Sequence, residues 1–320
     1  MLGMNQHADR VYQTTQDKSG AASSPIAASW RRCMTQHGLA PEEVRLPFRL
    51  TESEFSETLD RNGDVMEEAA SELDWLFGMV GKAGCCLVFT DSDGVVLDRR
   101  GLSSEDKDFH DLGLWMGAVW SEASVGTNGI GTAIADGRMI TVCRDQHFLS
   151  SNIGLSCASA PVRDHVGNIV AVIDISTARR DASELVMPVL SQAARDSASR
   201  IEVNLFRRAY ADSRIVLVPT RSHGGSALLA VDRDDMVLGA TRSARQALRI
   251  DDQMIANGVP ASDLLQERLS HSGDELVESE RAALRRALAR NNGNVSMTAQ
   301  MLGISRATLH RKINKLGLGD

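Results

Sequence analysis

Residues 295–318 read VSMTAQMLGISRATLHRKINKLGL, two short runs of helical period on either side of Gly303. Ala299 and Leu302 are expected to point inward from the first run, and Leu309, Ile313 and Leu316 from the second. A spacing of three to four residues puts such side chains on one face of a helix. The polar surface of the second helix then carries Arg306, Thr308, Arg311, Lys312 and Lys315. Ser305 stands where its hydroxyl can accept one of the free amides at the helix start. Donors on one face and apolar anchors on the other are what a helix seated in a DNA major groove requires. Residues 276–290 predict a preceding helix, broken at Asn291-Asn292-Gly293-Asn294.

The polar positions divide by role. Arg311, Lys312 and Lys315 suit phosphate neutralisation, which supplies affinity without sequence information. Arg306 and Thr308, in the first turn of the second helix, sit where base edges are reached. Ser296 and Thr298 open the preceding helix and are expected to approach phosphates beside its free amides. Charge sets this end apart. Residues 275–320 hold eight Lys or Arg (281, 285, 286, 290, 306, 311, 312, 315) against four acids (275, 278, 280, 320), whereas the whole chain carries −7. An acidic body with a basic end region predicts that only that region meets nucleic acid.

With 320 residues, two or three domains and an ample core are possible. No run approaches the roughly eighteen apolar residues of a membrane span. The opening MLGMNQHADRVYQTTQDKSG lacks the basic-then-apolar pattern of a secretory signal, so the expected location is the cytoplasm. The five cysteines (Cys33, Cys85, Cys86, Cys143, Cys157) are odd in number and show no CxxC spacing. They are read as reduced thiols, neither a disulfide framework nor a metal site.

Residues 1–24 are polar and are expected to lack fixed structure. A helix from Pro25 carries Ile26, Trp30 and Cys33, and a longer one is predicted over residues 51–80 from a Thr51–Glu54 capping box. The period then changes. CCLVFT and VVLDR flank an Asp93-Gly94 turn, a hairpin signal. The glycine-rich stretch WSEASVGTNGIGTAIADGR follows, then a strand over 139–142 and a second hairpin over 158–163 and 169–176. A helix over 184–210 closes the unit, which makes an antiparallel sheet with helices on one face. Residues 227–231 and 236–240 predict a further strand pair, followed by a helix over 241–249.

The end region resembles the DNA-binding domain of Fis, the factor for inversion stimulation, and the matching domain of NtrC-type activators. The resemblance rests on Gly293-Asn294, Ala299, Leu302-Gly303-Ile304-Ser305-Arg306 and Thr308-Leu309-His310-Arg311-Lys312, and it adds His310 to the DNA-facing set. Residues 25–210 resemble a GAF domain of the acetoin and dihydroxyacetone regulator branch of those activators. The carrying residues are Ile26 with Ser29-Trp30-Arg31-Arg32-Cys33, Trp120-Ser121-Glu122, Gly126-Thr127-Asn128-Gly129-Ile130-Gly131-Thr132-Ala133, His147-Phe148, Cys157 to Val162 and Asp174-Ile175-Ser176. The expected fold class is therefore α+β, with an antiparallel GAF-like sheet and flanking helices, a short PAS-like segment over 211–270 and an all-α helix-turn-helix domain over 271–320.

Such regulators place an ATP-driven motor between sensor and reader, marked by G-x-x-x-x-G-K-[ST]. That motif is absent from these residues, and the stretch between Tyr210 and Leu276 is too short for the motor. Action by occupancy of DNA is expected instead. If the GAF-like region takes a ligand, Trp120 and Phe148 would line its cavity and Glu122, Asn128, Thr132 or Asp174 would supply polar contacts. In sequence the two aromatics serve equally well as core, and the glycine-rich loop suits close packing. No catalytic constellation, metal site or cofactor site assembles. The expectation is a homodimeric, sequence-specific transcription regulator that meets DNA, RNA polymerase and a metabolite or regulatory protein. The competing readings are an architectural DNA-bending protein and a sensor enzyme with a DNA tether.

Overall fold

The computed structural model describes residues 2–16, 24–102, 106–179, 186–220, 226–233, 235–266 and 280–318, the last without 282, 285, 286, 289, 290 and 292. The chain divides into two compact units, Met1–Ala261 and Ser262–Asp320.

The first unit is organised by a five-stranded antiparallel sheet in the order β2-β1-β5-β4-β3. Its strands are β1 (Cys86–Asp91), β2 (Val96–Arg100), β3 (Ile140–Cys143), β4 (Ser156–Arg163) and β5 (Ile169–Thr177). The hairpin turn between β1 and β2 is built by Asp91, whose carboxylate accepts the amides of Asp93 and Val95, both at 2.9 Å, with Gly94 at φ 82°. Side chains alternate across the pleat. Leu87, Phe89, Ala158, Ala160, Ile173 and Ile175 therefore face one side, and Cys86, Val88, Cys157, Val172 and Asp174 the other.

Helices before the sheet are α1 (Leu2–Gln16), α2 (Pro25–Thr35), α3 (Glu52–Arg61) and α4 (Gly63–Val80). Within and after it come α5 (Asp106–Asp111), α6 (Glu122–Val125), α7 (Gly129–Asp136) and α8 (Met187–Ala209). The outer face is covered by Leu73, Leu76 and Val80 of α4 and by Leu190, Ala194, Ala198 and Ile201 of α8. Each fully buried Leu or Ile there contributes about 1.5–3 kcal/mol over leaving it in water. The two helices are joined at Glu72, which accepts Ser197 at 2.6 Å and Arg200 at 2.8 and 2.7 Å. The inner face is covered by α1, α2, α6 and α7 around Trp30, Trp120, Ile130 and Phe148.

Two expectations are corrected here. Residues 2–16 are helical rather than without fixed structure. His7 and Val11 anchor them: His7 Nε2–H donates to the carbonyl of His147 at 3.0 Å while Nδ1 accepts the Ser150 hydroxyl at 3.0 Å. These contacts with residues 145–150 are invisible to local periodicity. The single helix expected over 51–80 is two helices, broken at Asn62-Gly63, a pair of weak helix formers. Asn62 Nδ2 donates back to Thr58 O at 2.8 Å and closes the first helix.

A three-stranded antiparallel sheet completes the unit, in the order β6 (Arg214–Leu217), β7 (Leu228–Val231), β8 (Val237–Ala240). It packs on the end of α8 through Phe206, Leu228 and Ala230, and is followed by α9 (Arg242–Leu248) and α10 (Asp252–Ala256), after which α11 (Ala261–Gln266) runs into the second unit. The sequence reading had no β6, a short and partly exposed edge strand.

The second unit contains α12 (Val295–Met301) and α13 (Arg306–Lys315). Residues 280, 281, 283, 284, 287 and 288 are helical, whereas the linker expected over 270–275 lies outside the described residues. Leu284, Ala299, Leu309, Ile313 and Leu316 form its core. Leu302, expected to point inward, is instead 37% exposed, because the turn lifts it off that core. Among the described residues no helix is long and apolar enough to cross a membrane.

Candidate functional site

The helix-turn-helix is set by its caps. Asn294 accepts the Met297 amide at 3.1 Å to start α12, and Ser305 accepts the Thr308 amide at 3.1 Å to start α13. Gly303, at φ 65°, turns the chain between them, and Ile304 N returns to Ala299 O at 3.0 Å. A left-handed residue at this point favours glycine. With Leu309, Ile313 and Leu316 buried, the exposed face of α13 presents Arg306, His310, Arg311 and Lys315. Ala307 and Asn314 share that face, and the sequence reading passed over both. Their signal was the same helical period, applied to residues without charge.

Three other candidates are less available. Thr298 is fully buried, and its hydroxyl donates to Asn294 O at 2.8 Å, so it faces the core rather than a phosphate. Its burial corrects its assignment to the DNA surface. Thr308 is half-buried, and its hydroxyl lies 2.8 Å from that of Ser305. Lys312 is held by the Glu280 carboxylate, whose pKa its ammonium lowers. Ser296 remains exposed at the start of α12.

In the first unit, all six residues proposed for ligand contact are brought to the inner face of the sheet, and all are buried. The motif SWRRC of α2 locks onto them. Arg32 grips Glu122 with Nε and Nη2, each at 2.8 Å, and Nη2 also reaches Asp136 at 2.8 Å. The Ser29 hydroxyl donates to Glu122 at 2.5 Å and lies 2.6 Å from Thr127 and 3.3 Å from Thr132. Hydrogen bonds donated to Glu122 hold the Arg32 pKa above its usual value, with Asp136 adding to the effect. A two-nitrogen grip of this kind is specific to arginine.

The glycine-rich loop is a packing device. Asn128 caps α7 by accepting Gly131 N at 2.9 Å and donating to Gly126 O at 2.9 Å. A Cβ at Gly129 would stand 2.2 Å from Ser159 Oγ and 2.7 Å from both Asp174 Oδ1 and Cys157 Cβ. A Cβ at Gly126 would stand 2.7 Å from Phe148 Cβ, and Trp120 Nε1 donates to Gly113 O at 3.1 Å. The Asp174 carboxylate accepts the hydroxyls of Ser159 and Ser176, the latter at 2.5 Å. Burial pushes its pKa up to about 6 despite those two donors.

A thiol–imidazole contact adjoins Asp174. Cys157 Sγ lies 3.6 Å from His147 Nε2 and 3.2 Å from Ser176 Oγ. His147 Nδ1–H donates to Arg144 O at 2.9 Å, which leaves Nε2 as the acceptor for the thiol proton. Burial lowers the His147 pKa to about 4 and raises that of Cys157 well above its usual value. Both groups are therefore neutral, the opposite of a thiolate–imidazolium nucleophile. Among the described residues no group of three His, Cys, Asp or Glu is placed to hold a metal ion.

A GAF-like antiparallel sheet joined in one chain to a basic helix-turn-helix defines a class, the transcription regulators with a Fis-type reader. The MimR N-terminal domain matches residues 4–203, and the Fis-family bacterial regulatory protein domain matches residues 275–316. The first match spans more than half of the chain, which belongs to the MimR N-terminal-domain family of regulators. The acetoin catabolism regulatory protein of Cupriavidus necator is 31% identical over 257 residues, covering 79% of this chain and 38% of the relative. The propane 2-monooxygenase operon transcriptional activator MimR of Mycolicibacterium smegmatis is 30% identical, covering 73% of this chain and 39% of the relative. The chain thus spans about two fifths of the length of these relatives. The DhaR(N) part of the E. coli DhaR(N)-DhaL complex shares the fold, with a TM-score of 0.50 and 19% identity over 71% of this chain and 76% of that one.

Proposed function

We propose that the chain is a homodimeric, sequence-specific transcription regulator of the cytoplasm, which responds through its GAF-like domain to a small metabolite or a regulatory protein. The observation that carries this reading is the exposed row Arg306, His310, Arg311 and Lys315 on a capped helix with a sealed apolar back. It acts by occupying DNA and recruiting or blocking RNA polymerase, without ATP hydrolysis, since sixty-five residues separate Tyr210 from Leu276. The relatives named as activators support a role in transcription, and the DhaL complex of the solved neighbour supports a protein partner. Dimerisation is supported by Trp75 and Met79 of α4 and Val189 of α8, apolar side chains 51%, 48% and 67% exposed on the outer helices. One reader covers few bases, so two are expected on half-sites about one helical turn apart. The PAS-like segment over 211–270 serves as a spacer.

Glu122 and Thr132 are bonded to Ser29 and Arg32 of α2, so an effector reaches these two only when α2 moves, whereas Asn128 and Asp174 are bonded within the loop and the sheet. The reading is tested with Arg306→Ala and Arg311→Ala in anisotropy titrations on a preferred and a scrambled duplex. Arg306→Ala should relax sequence preference, with a loss of about 1–3 kcal/mol confined to the preferred duplex. Arg311→Ala should weaken both duplexes and flatten the salt slope by about one. Wild-type behaviour in both variants would refute the assignment.

A further inference from the structure

A second polar site lies away from the inner face, where the two sheets of the first unit approach each other. A cleft of about 340 Å³ is bounded by the β4–β5 turn, by α8, and by the junction of β8 with α9. That volume is at the small end of the roughly 300–1,000 Å³ that ligand clefts occupy. We propose that this cleft binds a small hydroxycarboxylate, with Arg242 pairing the carboxylate and Glu202 accepting the hydroxyl proton.

The walls differ in what they leave open. Asp164 is committed to its own turn, accepting the amides of Val166, Gly167 and Asn168 at 3.0, 2.8 and 2.9 Å. The Arg163 guanidinium donates to two carbonyls, Gly167 O at 2.8 Å and Gly137 O at 2.7 Å, so its charge is not neutralised by them. Arg245 is held by Ala240 O at 2.9 Å and by the Asp252 carboxylate. Arg242 is exposed and makes no ion pair among the described residues. Among the described residues neither Arg163 nor Arg242 has a carboxylate within ion-pair distance, although the charge of Glu202 acts on both.

Against them stand two carboxylates, Asp164, whose charge its turn amides do not cancel, and Glu202. Glu202 Oε1 accepts the Arg163 amide at 3.0 Å, while Oε2 has no hydrogen-bond partner among the described residues. A cation beside an open acceptor selects a ligand with both a negative charge and a donor. The exposed Val166, with the buried Phe206 and Ala240, gives the cleft an apolar part that suits a short carbon chain better than a bare inorganic anion. Because the cleft is walled by both sheets, occupancy favours one placement of the second sheet against the first. This gives the effector response of the proposed regulator an entry point that needs no movement of α2, and the inference rests on that regulatory reading.

The test is calorimetric titration of full-length protein, at constant ionic strength, with D-glycerate, L-lactate, propionate and inorganic phosphate. DNA binding by the same preparation is measured alongside. Glycerate or lactate should bind saturably and at least about tenfold tighter than propionate or phosphate. Arg242→Ala should weaken that binding about 10- to 100-fold, as expected for loss of a charged hydrogen bond. Glu202→Gln should erase the preference over propionate. Arg242 is exposed and makes no ion pair among the described residues, so its removal leaves the fold intact. Absence of saturable binding by either hydroxy acid would overturn the inference, as would equal binding of phosphate or undiminished binding in Arg242→Ala. Intact DNA specificity alongside such a result would condemn the cleft alone, whereas absent specificity would condemn the regulatory reading.

Discussion

Replacing His147 or Asp174 by asparagine, one at a time, is expected to unmask two proton equilibria that oppose each other in the native domain. Folding lowers the His147 pKa from 6.5 to about 4, with desolvation the largest cause. The unfolded chain therefore binds more protons between those values, and this group makes stability rise with pH across the window. Folding raises the Asp174 pKa from 3.8 to about 6 through burial. Here the native state binds more protons, so the contribution is full below about pH 4 and is lost as pH climbs through 6. At about 1.4 kcal/mol per pKa unit, each effect amounts to about 3 kcal/mol, and the two nearly cancel. His147→Asn keeps the donor to Arg144 O but removes the titrating ring, and Asp174→Asn keeps an acceptor for Ser159. Urea unfolding followed by tryptophan fluorescence from pH 4 to 7 reads the difference. Relative to wild type, His147→Asn should lose about 3 kcal/mol as pH rises through the window, and Asp174→Asn should gain as much. That is a midpoint change on the order of 1 M urea, in opposite directions. Variants that both run parallel to wild type would refute the burial argument.

Other outcomes follow from the inner-face contacts. Arg32→Ala leaves Glu122, 4% exposed, without its cationic partner, and should destabilise the domain by about 3–5 kcal/mol in the same urea assay. Arg32→Lys should recover only part of that loss, because an ammonium cannot reproduce the two-nitrogen grip. Gly129→Ala places a Cβ 2.2 Å from Ser159 Oγ and should cost about 1–3 kcal/mol, read as a lowered Tm. An unchanged Tm would mean that the loop can retreat from the sheet.

Much of the fold was legible because it is written locally. The Asp-Gly turn, the change from period 3.6 to period 2, and Ser305 before an amphipathic run each name an element within a few residues. The helix at the N-terminus was missed because its reason is distant: His7 is buried by residues 145–150, far along the chain. The break at Asn62-Gly63 was a local signal, outweighed by the apolar period on both sides of it. At the reader, periodicity identified the exposed row but could not show that Thr298 turns inward or that Glu280 holds Lys312. In the sensor domain, the motif SWRRC marked importance without its meaning. Only the fold joins Arg32 to Glu122 and Asp136, and Cys157 to His147, across gaps that sequence spacing does not encode.

The central claim is that this chain reads DNA sequence. It is tested most directly by anisotropy of the full-length protein on its own upstream DNA, against scrambled competitor, across a salt series. A preference of at least about a thousandfold is expected at physiological salt. Equal, steeply salt-dependent binding to both DNAs would contradict it and identify an architectural protein held by phosphates alone.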